Sequence, residues 1–220
     1  MCFSPEVDLV AGIVITGVGV ESLRHAHEPR QIPLASLPIV FGTHQLVESV
    51  TWWSLQGDLP DRCGTVATSA YLAVALVVVP LLVPLAVALA ERDPTRRRRL
   101  VPFALLGAAV ALALGVQLAA GPSGASIGGR FIAYEVDLAW GGEITALYVL
   151  ATCGPLLASG RPTFVLFGAA NLTAVAALAT LLATGLISLW CVWAAVTSVA
   201  VLAHLRAGDR CEEEVRAPSG

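Results

Sequence analysis

A stretch long enough to cross a lipid bilayer, residues 33–53, carries a histidine, a glutamine and a glutamate near its middle. An ionisable side chain in hydrocarbon costs about 2.5–3.5 kcal/mol on insertion scales, so such residues normally face a protein interior or a water-filled cavity. At 3.6 residues per turn, five side chains of the stretch share one helix face: Phe41, His44, Gln45, Glu48 and Trp52. The stretch therefore predicts a helix whose polar face points into a bundle.

The composition predicts a protein of the cell membrane that crosses it several times. The 220 residues are 56% hydrophobic and 13% charged, and the mean hydropathy is +0.77, whereas a soluble domain has about 25% charged residues. We expect membrane lipid as a partner, a single domain over residues 1–206, and a polar, disordered cytoplasmic tail over 207–220.

Two classes of protein are excluded or disfavoured by charge. The net charge of −3 gives no indication of nucleic-acid binding. The chain contains no lysine, since all 13 basic residues are arginine. A retinal Schiff base requires a lysine amine, so a rhodopsin is excluded.

Apolar runs and their breaks predict an all-α membrane protein, a single bundle of seven transmembrane helices. The predicted helices lie at about 6–23, 33–53, 65–90, 100–120, 130–157, 163–183 and from Gly185 to about His204. In the third helix, Pro80 and Pro84 each remove a backbone donor, which predicts a kink. The segment 121–129 is rich in glycine and is predicted to be a flexible loop.

The distribution of arginine predicts the orientation of these helices. With the amino terminus outside and the carboxyl terminus inside, the inner segments are 24–31, 91–99, 158–162 and 206–220, and they hold eleven of the thirteen arginines. Cytoplasmic loops of membrane proteins carry such an excess of positive charge.

This orientation gathers polar and aromatic side chains into a pocket that opens outward. Glu48 lies just above the midplane, and Glu143 lies close to the middle of the fifth helix. Both carboxyl groups must point inward, because lipid contact would carry a penalty. We therefore predict that they face a common interior cavity lined by Trp52, Trp140 or Trp190.

Several roles remain open for the polar residues. His44 and Glu48, one turn apart, can act as hydrogen-bonding links between helices or as a proton relay. They can also be two ligands of a metal ion, although no other histidine lies in the predicted membrane interior to complete the site. Cys2 can become an amino-terminal thiol that binds metal or acts as a nucleophile. It can equally form a disulfide with Cys63 at the outer surface.

Four short blocks resemble an uncharacterised bacterial family of small multi-pass membrane proteins. They are residues 1–4 (MCFS), 45–48 (QLVE) with a tryptophan four residues later, 150–157 (LATCGPLL) and 190–195 (WCVWAA). The resemblance spans nearly the whole chain and implies importance for Cys2, Gln45, Glu48, Trp52, Trp190 and Cys191. The family pattern has glutamine where this chain has His44 and glycine where it has Ser49. The resemblance implies no activity.

Three hypotheses for function follow. The first is binding and transport of a small solute, proton or cation, with Glu48 as the protonatable centre. The second is an intramembrane enzyme, a hydrolase or a metal or redox protein, that uses Cys2, His44 and carboxylates. The third is a structural subunit of a membrane complex. The sequence leaves cofactors, substrate and oligomeric state unknown.

Overall fold

The computed structural model describes residues 4–129, 131–181 and 195–207, and most of these residues are helical. The elements are α1 (Pro5–Arg24), α2 (Ile32–Gln56), α3 (Asp61–Ala73), α4 (Val79–Ala90), α5 (Pro94–Ala120), β1 (Ser123–Ile127), β2 (Ile132–Val136), α6 (Gly141–Ala158), α7 (Pro162–Leu181) and α8 (Ala195–Ala207). A short 3₁₀ helix, Pro29–Gln31, precedes α2. The predicted tail beyond residue 207 lies outside the described residues.

Among the residues that the structure describes, three helical stretches are long and apolar enough to cross a membrane: Asp61–Ala90, Pro94–Ala120 and Gly141–Ala158. The first of these contains both α3 and α4. The helices α1 and α2 do not meet the same criterion, because their apolar runs are interrupted by charged and polar residues such as Asp8 and Glu48. A large apolar core cluster joins most of the helices through Ile15, Leu37, Val87, Leu100, Leu156, Phe164 and Leu205.

The prediction of an all-α chain is wrong between residues 123 and 136. Here β1 and β2 form an antiparallel hairpin, with Ser123 opposite Val136 and Ile127 opposite Ile132. β-branched and aromatic residues alternate in β2 and favour a strand, and Gly129 turns the chain with a φ of +80°. The predicted flexible loop and the first third of the predicted fifth helix therefore form one hairpin.

The helices α1 and α2 pack closely through glycines. A Cβ at Gly12 would lie 2.6 Å from a Leu46 side-chain carbon, and one at Gly19 would lie 2.5 Å from Ile39. A Cβ at Gly42 would lie 2.3 Å from the Thr16 hydroxyl. The contacts pair Gly12 with Leu46, Thr16 with Gly42 and Gly19 with Ile39, so residue numbers rise along α1 as they fall by the same amount along α2. The two helices are therefore antiparallel and in a fixed register.

A π-helical segment, Val74–Val78, joins α3 to α4 where the sequence predicted a kink. The Val79 N–H donates to the carbonyl of Val74, five residues back. In this π pattern the next carbonyl, that of Ala75, would accept from residue 80, but Pro80 has no N–H. The hydroxyl of Tyr148, on α6, donates to the Ala75 carbonyl at 2.8 Å and takes the place of the absent backbone donor.

Ion pairs between distant segments gather arginines at one end of the molecule, here called the arginine end. The pairs are Glu21–Arg206 (3.2 Å), Glu28–Arg92 (2.9 Å) and Glu91–Arg161 (3.3 Å). They connect the end of α1, the loop before α2, the loop before α5, the loop before α7 and the end of α8. These are the segments that the arginine count assigned to one side.

Candidate functional site

The polar face of α2 is buried, as the sequence predicted. Glu48 has 0% of its surface exposed, Gln45 1% and His44 7%. Phe41 and Trp52, on the same face, are also buried. The predicted direction of this helix face is confirmed, while a binding role for its residues stays a prediction.

A second carboxylate, Asp8 of α1, is also fully buried, with 0% of its surface exposed. Asp8 lies one turn before Gly12, on the face of α1 that packs against α2. Extending the register of the two helices places Asp8 level with Val50, two residues and so about 3 Å along the axis from Glu48. The sequence alone does not mark Asp8 as a site residue, because its position beside Glu48 depends on the register of α1 on α2.

Three aromatic rings form a stack that connects α2 to α3 and to the hairpin. The centroids of His44 and Tyr71 lie 3.8 Å apart, with an interplanar angle of 18°. The centroids of Tyr71 and Tyr134 lie 4.2 Å apart, with an angle of 7°. Tyr71 is completely buried. The hairpin therefore places Tyr134 on the far side of Tyr71 from His44, next to the buried polar face of α2.

Three buried polar atoms of α2 have no hydrogen-bond partner among the residues that the structure describes: His44 Nδ1, Gln45 Oε1 and Trp52 Nε1. Buried polar groups in native proteins are almost always paired, and an unpaired one carries a penalty of about 1–3 kcal/mol. The set contains an acceptor on Gln45, a donor on Trp52 and an imidazole nitrogen that can be either. Such a set is suited to a small polar ligand. We use the name polar site for Asp8, His44, Gln45, Glu48, Trp52, Tyr71 and Tyr134.

The structure does not place Glu143 or Trp140 in this site. Trp140 has 78% of its surface exposed and a φ of 61°, and α6 begins directly after it at Gly141. Glu143 is exposed in the first turn of α6, where a negative charge favourably meets the helix dipole. The predicted cavity shared by Glu48 and Glu143 is therefore wrong, because the fifth predicted helix starts eleven residues later than expected.

The cysteine predictions are tested in part. Cys63 is exposed near the start of α3 and carries a free thiol. Cys2 and Trp190 lie outside the described residues. Within the described part of the chain, no group of three or more His, Cys, Asp or Glu residues is arranged to hold a metal ion.

The described part of the chain is mostly helical, and three of its helices are long and apolar enough to cross a membrane. It carries a buried polar site on α1, α2, α3 and β2. The family model described as "Family of unknown function (DUF6629)" matches residues 1–216, so the chain belongs to that family. No curated protein matches the chain. No solved structure matches it either.

Proposed function

We propose that this protein is a multi-pass membrane protein whose polar site binds a proton or a small cationic solute and passes it across the membrane. The observation that carries the proposal is the complete burial of two carboxylates, Asp8 and Glu48, on adjacent helices at nearly the same level. Removing an ionised carboxylate from water into an apolar interior carries a large free-energy penalty. A proton or a bound cation removes that penalty.

The surroundings of Glu48 favour a ligand over a purely structural role. In a merely structural cluster the buried polar atoms would pair with each other. Here His44 Nδ1, Gln45 Oε1 and Trp52 Nε1 lack a partner among the described residues, on the same buried face that carries Glu48.

The proposed membrane topology has seven spans, with the amino terminus outside and the carboxyl terminus inside. It is supported by the arginine end, because ion pairs hold the arginine-rich segments of the chain together. A reporter that is active only in the cytoplasm, fused to Gly220, should give signal. Silence from a fusion of confirmed expression would contradict this orientation.

The function is tested by comparing Glu48→Gln with Glu143→Gln in proteoliposomes that contain a pH-sensitive dye. Both variants remove one titrating group and keep side-chain shape, but Glu48 is buried and Glu143 is exposed. We expect wild type and Glu143→Gln to relax an imposed pH gradient, and Glu48→Gln to lose this activity. The infrared carboxyl band assigned to Glu48 should titrate in the first two proteins and be absent from the spectrum of Glu48→Gln, in which Asp8 is the only buried carboxyl group left in the polar site.

Two results would contradict the proposal. If Glu48→Gln retains both the flux and the infrared titration, Glu48 is a structural hydrogen-bonding group. If the wild type shows the infrared titration but neither proton flux nor flux of any small cation tested, the site is not a transport site.

A further inference from the structure

The first turns of α5 carry four consecutive arginines, Arg96 to Arg99, and all four are exposed. Arg96 lies 3.7 Å from the carboxylate of Asp93, the residue that caps the helix. No ion pair is found for Arg97, Arg98 or Arg99 among the residues that the structure describes. Three positive charges therefore stand side by side without a neutralising carboxylate in the described part of the chain.

The other arginines of the arginine end differ from these three. Arg24 and Arg206 pair with Glu21, Arg92 pairs with Glu28, and Arg161 pairs with Glu91. In the part of the chain that the structure describes, the carboxylates of this end are thus already engaged by other arginines. Within that part no carboxylate is left to pair with Arg97, Arg98 or Arg99, so these three can bind an anionic partner.

An exposed apolar face of α5 begins directly beyond the three arginines. Val101 is 44% exposed and Leu105 is 67% exposed, and Leu112 and Val116 continue the same face. Steps of three and four residues keep these side chains on one side of the helix, with Arg97 and Arg98 at its end. The hydrocarbon of one leaflet is about 15 Å thick, which equals about ten residues of helix. If the leaflet begins at Arg98, Val101 and Leu105 lie within it.

We infer that this face of α5 binds an anionic glycerophospholipid. Its phosphate would accept hydrogen bonds from the guanidinium groups of Arg97 and Arg98, whose planar donors match phosphate oxygens. Arg99 points to another side of the helix and adds positive charge near the headgroup. Its acyl chains would lie along Val101 and Leu105. A zwitterionic lipid brings its own positive amine to the three arginines, so an anionic headgroup is preferred. The inference rests on the membrane location that is part of the proposed function.

The test uses the full-length protein, purified in mild detergent and equilibrated with equal amounts of phosphatidylglycerol and phosphatidylcholine. Native mass spectrometry then counts the adducts of each lipid. We expect wild type to retain phosphatidylglycerol preferentially, and the preference to fall about fivefold for each arginine replaced in Arg97→Gln, Arg98→Gln and Arg99→Gln. The variant Arg24→Gln, Arg92→Gln, Arg206→Gln removes the same net charge from paired positions and should keep the preference.

Further arms separate a lipid from a simple anion. Leu105→Gln should reduce the retention of phosphatidylglycerol although every arginine remains, because the acyl chains lose an apolar contact. Soluble glycerophosphoglycerol should not displace the lipid at comparable concentration. Because a triple variant can fail to insert, Arg98→Gln alone is measured as well and should give the fivefold loss.

Several outcomes would overturn the inference. Equal losses of the lipid preference in the two triple variants would indicate a response to net charge alone. An unchanged preference after replacement of Arg97, Arg98 and Arg99 would exclude these arginines as the binding site. Displacement of the lipid by the soluble headgroup would show that the acyl chains do not contribute. The membrane location is tested separately, by whether the protein resists extraction with alkaline carbonate. Failure of the Glu48 experiments would leave the lipid preference intact, so the two proposals can fail independently.

Discussion

The two ends of the molecule hold their carboxylates in different ways. At the arginine end, the Glu21 and Glu28 side chains are each 33% exposed, the Glu91 side chain is buried, and all three are paired with arginines. At the polar site, Asp8 and Glu48 have no exposed surface. Both ends lie on or next to α1 and α2, so the contrast is not one of distant domains.

The difference indicates what each set of charges contributes. Exposed ion pairs in water contribute little to stability, so the arginine end is better understood as fixing which segments lie together. Buried carboxylates carry a large desolvation penalty that must be offset by a partner, a proton or a ligand. These considerations favour ligand binding at the polar site. At the arginine end they favour a role in holding the segments together and in binding lipid.

The largest effect is expected from opening the polar site with Gly42→Ala. A Cβ there would lie 2.3 Å from the Thr16 hydroxyl and 2.5 Å from the Thr16 backbone nitrogen, so α1 and α2 must move apart. We expect a loss of about 3 kcal/mol in the free energy of unfolding. Thermal unfolding in detergent measures it.

The matched control is Gly17→Ala on α1, because a Cβ at Gly17 meets nothing within 4 Å. Alanine is a better helix former than glycine, so this variant should be as stable as wild type or more stable by up to about 1 kcal/mol. Equal stability of the two variants would mean that α1 and α2 do not pack as described, and the register that places Asp8 beside Glu48 would fail with it.

A smaller effect is expected from Tyr148→Phe, which loosens the helix that carries Tyr71 into the polar site. The variant removes the hydroxyl that donates to the Ala75 carbonyl at 2.8 Å, and leaves that carbonyl without a donor in the π-helical segment. We expect a loss of about 1–3 kcal/mol in the free energy of unfolding.

A double-mutant cycle with Pro80→Ala makes the explanation specific. Alanine at position 80 restores a backbone N–H that can serve the Ala75 carbonyl, so Tyr148→Phe should have a smaller effect in that background. An undiminished effect would show that the Tyr148 hydroxyl does not substitute for the donor that Pro80 lacks.

The extent to which these features were predictable differs between elements for physical reasons. The buried face of α2 follows from helical periodicity alone, and Pro80 marked the irregular part of the long helix. The hairpin is missed when residues 130–157 are taken as one helix, although Ile132, Tyr134 and Val136 alternate as in a strand. Glu143 was misplaced as a consequence. Asp8 became a site residue only once the register of α1 on α2 was known, and no local pattern contains that register.

The smallest effect, at the arginine end, is a loss of stability in acid. The guanidinium groups of Arg30 and Arg92 lower the pKa of Glu28, in the loop before α2, below its ordinary value of 4.5. A lowered pKa in the folded state contributes stability that is present above about pH 4.5 and is lost as the pH falls through the folded-state pKa. We expect the unfolding temperature to fall slightly below pH 4.5, and less so in high salt, which screens exposed pairs. The variant Glu28→Gln should lose this part of the pH dependence and keep the proton flux assigned to Glu48. If it lost the flux instead, the two ends would be coupled, and the separation of a positional end from a functional site would be wrong.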